Sequence, residues 1–203
     1  MIRLPAPAKL NLYLRVLGRR ADGYHEIETI FERIDLADEI TFERADTLRL
    51  TCTDTSLSCG DDNLILRAAR LLQSATGTNR GAEIHLTKRI PIAAGLGGGS
   101  SDAAATLLGL NDLWKLNLQQ KTLSEMAAQL GADVPFFLLE APFAIGRGRG
   151  DVCQPLTGPT ASLVQVLVVP QTQLSTKDVY STAEFDLTAP APSSTMVAHA
   201  LSN

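Results

Sequence analysis

The chain has 203 residues, 45% hydrophobic and 20% charged, which suits one large domain or one domain plus part of another. That balance excludes a mainly disordered chain. Eighteen Lys and Arg against 22 Asp and Glu leave a net charge of −4. No basic field is available to hold a nucleic-acid backbone or an anionic membrane. The apolar runs, such as Leu163 to Pro170, fall far short of the roughly 20 residues a spanning helix needs. Met1 to Pro7 holds no signal-peptide core. The expectation is a soluble cytoplasmic protein.

In chain order, alternation over Leu10 to Val16 predicts a half-buried strand, and Asp22-Gly23 supplies turn chemistry after it. Glu26 to Phe31, Glu39 to Phe42, Leu48 to Thr53 and Glu83 to Thr87 read as further strands. Helices are predicted over Asn63 to Gln73, with Asp61 or Asp62 as cap, over Ser100 to Trp114, and over Lys121 to Leu130, where Gly131 stops the last. Ala141 to Ile145 and Leu163 to Val169 read as buried strands, and Thr195 to Asn203 resembles the opening turns of a helix. Strands precede and alternate with helices, so an α+β fold on a mixed or antiparallel sheet is expected.

Cys52, Cys59 and Cys153 are an odd number without CxxC spacing, and His25, His85 and His199 form no metal-ligand pattern. Neither a disulfide framework nor a metal site is expected, and His85 reads as an ordinary strand side chain. The chemistry concentrates instead in Pro91-Ile92-Ala93-Ala94-Gly95-Leu96-Gly97-Gly98-Gly99-Ser100-Ser101. Four glycines in five positions leave backbone N–H groups unobstructed, directly before an amphipathic helix. Such a helix start binds phosphate. The loop is not a Walker A sequence, since GxxxxGK[ST] occurs nowhere, and Ser100 breaks the dinucleotide fingerprint.

The pattern resembles the nucleotide loop of the GHMP small-molecule kinases, among them galactokinase, homoserine kinase and mevalonate kinase. Pro7-Ala8-Lys9-Leu10-Asn11-Leu12-Tyr13-Leu14, Arg20-Ala21-Asp22-Gly23-Tyr24-His25, Asp61-Asp62-Asn63-Leu64 and Gly131-Ala132-Asp133-Val134-Pro135 together resemble the family of 4-diphosphocytidyl-2-C-methyl-D-erythritol kinases. The resemblance implies a GHMP-kinase N-terminal ATP-binding domain over 1–160, then the incomplete start of a ferredoxin-like C-terminal domain over 161–203. It implies Lys9 and Asp133 as catalytic residues and Pro91 to Ser101 as the ATP loop, with Asn63 and Lys88 on the adenosine side. Asn11, Tyr24, His25, Thr176 and Tyr180 would bind the substrate.

Without the resemblance, Lys9 reads as a solvated strand-end lysine, Asp133 as a cap or turn former, and Tyr180 as a core residue. Asp151 stands where the family more usually has Glu in its later Gly-rich turn, Gly146 to Asp151. ATP and Mg2+ are the implied cofactors, although no carboxylate pair identifies magnesium ligands. The partner is a small molecule, and a monomer or weak homodimer is expected. The family's third Gly-rich motif is absent before Asn203, so a truncated chain or a fragment is expected. Homoserine kinase activity, or nucleotide binding without turnover, are the alternative functions.

Overall fold

The structure, a computed structural model, describes residues 1–156, 163–170, 194 and 196. Thr176, Tyr180, the domain boundary at 160/161 and, apart from the helical Met196, the helix expected over Thr195 to Asn203 lie outside these residues. Ten elements follow in chain order: β1 (Ile2–Arg19), β2 (His25–Ala45), β3 (Leu48–Cys52), α1 (Leu64–Thr76), β4 (Gly81–Thr87), α2 (Gly98–Leu113), α3 (Gln120–Leu130), α4 (Val134–Phe137), β5 (Phe143–Gly148) and β6 (Val152–Leu156). The sheet is antiparallel except where β3 runs parallel to β4.

β2 organises the sheet. The sequence suggests two strands here because Glu32 to Asp38 interrupts the apolar pattern, yet β2 continues for 21 residues. β1 pairs along its length, so backbone hydrogen bonding does not depend on side-chain polarity. On its other side β2 changes partner, from β5 across Ile27–Glu32 to β4 across Glu39–Ala45. Ile34 and Leu36, between those pairings, pack with Ala8, Ile90 and Leu96, which anchors the Gly-rich loop to the sheet. Asp22-Gly23 forms the expected turn, with Gly23 at φ 85°.

The helices bury one face of the sheet. α2 is central, with Ala103, Ala104, Leu107 and Leu110 all at or below 1% exposure. A Cβ on Gly109 would come within 2.5 Å of the Phe42 ring, so this glycine permits close packing of α2 on β2. His85 lies on β4, where its Nδ1 meets Thr51 Oγ1 at 2.9 Å.

Two further sequence expectations need correction, and two short elements had not been expected. α1 is capped by Asn63, not Asp61 or Asp62: Asn63 Oδ1 accepts from Ile65 N at 2.9 Å, and Nδ2 donates to Ser58 O at 2.6 Å. Asn63→Ala is expected to lower stability by about 0.5–2 kcal/mol, readable in urea unfolding. α4 and β6 had no readable pattern, since one is a single turn and the other carries Pro155. Leu163 to Val169, expected as a buried strand, has no strand pairing. Val164, Val166 and Val168 are 93%, 88% and 85% exposed. An apolar segment becomes a buried strand only where a ladder partner and a packing face meet it, and none of the described residues supplies either.

Candidate active site

Lys9 lies just past a register shift in β1, where a bulge re-aims a strand side chain. Its Nζ lies 3.5 Å from Asp133 Oδ2 and donates to Asn11 Oδ1 at 2.6 Å. The side chain of Lys9 is 8% exposed and that of Asp133 32%, so the pair opens on the carboxylate side. Behind Lys9 a relay holds the arrangement. Asn11 Nδ2 donates to Thr29 Oγ1 at 2.7 Å, and that hydroxyl donates to Tyr13 O at 2.6 Å. Nζ also lies 5.6 Å from the centroid of the Phe31 ring, in cation–π range. Asp133 comes from the segment between α3 and α4, adjoining Gly131, whose N–H donates to Ala127 O at 3.2 Å.

The Gly-rich loop closes on the same pair. Lys9 N donates to Leu96 O at 2.9 Å, and a Cβ on Gly97 would stand 2.9 Å from Lys9 Cγ and 3.0 Å from Phe137 Cζ. Ala93, Gly95 and Gly97 have φ of 56°, 74° and 68°, whereas Ala94 and Leu96 between them do not adopt positive φ. Alternation of left- and right-handed residues turns successive N–H groups into one concavity, the geometry of an anion nest. Gly98 and Gly99 then open α2, whose first N–H groups have no intrahelical acceptor. Side-chain crowding at Gly97 and a chain of free amides above it are what a phosphate group requires.

The loop's two serines separate. Ser100 Oγ lies 3.9 Å from where a Gly131 Cβ would stand, toward the Asp133 segment. Ser101 is 1% exposed, lines the groove formed with Pro5, Pro7 and Arg33, and has no hydrogen-bond partner at Oγ. Lys88 lies beneath the loop, tied to Asp38 and Asp102. Asn63 spends its side chain on capping α1, next to Gly99, whose Cβ would lie 3.5 Å from Leu64 Cδ1.

Tyr24 and His25 belong to the far end of the β1–β2 hairpin. Tyr24 is 55% exposed, and the Arg149 guanidinium lies 5.0 Å from its ring centroid. Arg149 is anchored by Asp151 at 2.7 Å. The turn carrying Arg149 also reaches Asp133: a Cβ on Gly150 would stand 3.9 Å from Asp133 Oδ1. Arg149 was missed in the sequence, although the Gly146 to Asp151 turn that holds it was recognised. Cys153 is no nucleophile, because burial first, and then the charges of Asp133 and Asp151, push its thiol up to about 12. Its Sγ donates to Gly150 O at 3.2 Å.

A sheet with this helical cover, an anion nest entering the central helix, and a lysine–aspartate pair beside it define a GHMP kinase N-terminal domain. The family model for the GHMP kinases N terminal domain matches residues 63–141. The chain is 52% identical to a 4-diphosphocytidyl-2-C-methyl-D-erythritol kinase of Salinibacter ruber over 179 residues, covering 86% of this chain and 63% of that protein. A namesake from Synechococcus sp. is 51% identical over 185 residues, covering 89% and 60%. A crystal structure of 4-(cytidine 5'-diphospho)-2C-methyl-D-erythritol kinase superposes with a TM-score of 0.66 at 46% identity, covering 78% of this chain and 56% of the other. Homoserine kinase from Cytophaga hutchinsonii gives a TM-score of 0.68 at 20% identity, over 98% of this chain and 64% of that one, a likeness of fold alone.

The chain belongs to the 4-diphosphocytidyl-2-C-methyl-D-erythritol kinase family. It spans about three-fifths of the length of the curated relatives it matches. No helix among the described residues is long and apolar enough to cross a membrane.

Proposed function

We propose that the chain transfers the γ-phosphoryl group of ATP to the 2-hydroxyl of 4-diphosphocytidyl-2-C-methyl-D-erythritol, in the non-mevalonate route to isoprenoid precursors. The observation that carries this reading is the approach of Lys9 Nζ to Asp133 Oδ2 at 3.5 Å, directly beside Gly97 of the anion nest. Asp133 accepts the proton of the attacking hydroxyl, whose oxygen bonds to the γ-phosphorus as the bond to the bridging β–γ oxygen breaks and ADP leaves. Lys9 orients that carboxylate and offsets negative charge spread over the transferring group. Pro91 to Ser101 hold the phosphates through backbone N–H groups. Such transfer rests mainly on positioning and charge stabilisation.

No group of three His, Cys, Asp or Glu side chains converges as a metal cage among the described residues. Magnesium would arrive on the phosphates of its ATP complex, a mode that suits an ion retaining most of its water. Asn11 extends the site toward the hairpin end, where Tyr24, beneath Arg149, and His25 form the wall assigned to the cytosine base. Thr176 and Tyr180 remain assigned to the substrate by family likeness.

A panel of alcohols tests the assignment through ADP release. The cytidine-bearing alcohol alone is expected to stimulate it, and stimulation by homoserine instead would overturn the substrate assignment. The second reading is nucleotide binding without turnover. ATP binding with no ADP formed from any alcohol would select it.

A further inference from the structure

Lys88 presents a difficulty for a direct contact with adenosine. Its side chain is 6% exposed, and Nζ is hydrogen-bonded to Asp38 Oδ2 and lies 3.6 Å from Asp102 Oδ2. The other oxygen of Asp38 accepts the backbone N–H groups of Arg89 at 2.5 Å and Ile90 at 2.8 Å, the residues that lead into the loop. At the loop's exit, a Cβ on Gly98 would stand 2.9 Å from Lys88 Nζ and 3.1 Å from Ile90 Cγ2. Asp102 lies one turn further along α2. One ammonium and two carboxylates therefore hold both ends of the Gly-rich loop.

We propose that Lys88, Asp38 and Asp102 form a positioning cluster that sets the spacing of the loop's two ends, and so aligns its N–H groups for a polyphosphate without touching the nucleotide. The inference rests on the phosphate-loop reading given above. Among the described residues, the charged groups acting on Asp102 are Lys88, leaving β4, and Asp38, on β2. Burial is the main influence on its carboxyl and pushes it up to about 7, with Lys88 opposing and Asp38 reinforcing the rise. Its Oδ1 is buried without a hydrogen-bond partner, as expected of an atom better suited by a proton.

Calorimetric titration of the 203-residue chain with ADP and with adenosine, at pH 8, separates the possibilities. Lys88→Met is expected to weaken ADP at least tenfold while leaving adenosine affinity unchanged. Equal loss for both ligands would show that Lys88 contacts the nucleoside and would overturn the proposal, as would unchanged ADP affinity. Asp102→Asn supplies an independent arm should Lys88→Met fail to melt cooperatively. Asp102→Asn removes one of the two carboxylates that hold Lys88 Nζ, so at pH 8 it should weaken ADP several-fold while leaving adenosine affinity unchanged. ADP affinity in that variant equal to or tighter than wild type would overturn the proposal. Wild-type protein that binds neither ligand would refute the phosphate-loop reading itself, a distinct failure.

Discussion

Asp133→Ala is expected to reduce phosphoryl transfer by roughly a hundredfold to ten-thousandfold, the range lost with a positioned general base. Nucleotide affinity should be unchanged. The split follows from geometry: Asp133 meets Lys9 at 3.5 Å and lies beside Gly150, whereas the nest amides belong to a separate segment, Pro91 to Ser101. Asp133→Asn is the sharper variant, because it keeps the shape and a hydrogen bond but cannot take a proton at neutral pH. Single-turnover ADP formation together with calorimetry reads both quantities. Turnover within a factor of two of wild type in either variant would remove Asp133 from the mechanism. Loss of nucleotide binding as well would mean that the carboxylate holds the loop in place.

Phe31→Ala should have the largest effect on stability, about 3–5 kcal/mol, the usual cost of removing a buried phenyl ring. Phe31 is 1% exposed and stacks on Phe136 with centroids 4.9 Å apart. A Cβ on Gly146 would stand 2.6 Å from its ring, so β5 has closed tightly around it. Because domains retain only about 5–15 kcal/mol in total, urea unfolding should show a midpoint near zero denaturant or a collapsed transition. Phe31→Leu keeps most of the volume and should cost less than about half as much. That variant also removes the ring face 5.6 Å from Lys9 Nζ. It should therefore slow turnover more than its stability loss alone explains, measured at a temperature where it remains folded.

How much of this was readable in the chain depended on whether the signal was local. The Gly-rich loop stood out as a candidate anion site because four glycines in five positions at a helix start leave backbone N–H groups unobstructed. Asp22-Gly23 likewise specified its turn, since the conformation belongs to the residues themselves. Asp38 carried no such signal: 50 residues separate it from Lys88, and within β2 it resembles any strand carboxylate. Arg149 was equally silent, its meaning depending on Tyr24 from a distant hairpin. Leu163 to Val169 misled, because apolar alternation reports what a segment would bury and not whether a partner is present.

The sequence by itself determined a candidate phosphate-binding segment, the helices that flank it, and Lys9 and Asp133 as candidates through family likeness. Only the tertiary structure decided that the lysine and aspartate meet, that Lys88 pairs with Asp38 and Asp102, and that Ser100 and Ser101 face different ways. Backbone conformation and periodicity are set by neighbours a few residues apart. Convergence of charges from β1, β2, β4 and the α3–α4 segment depends on sheet register and helix packing, to which no short stretch of chain has access.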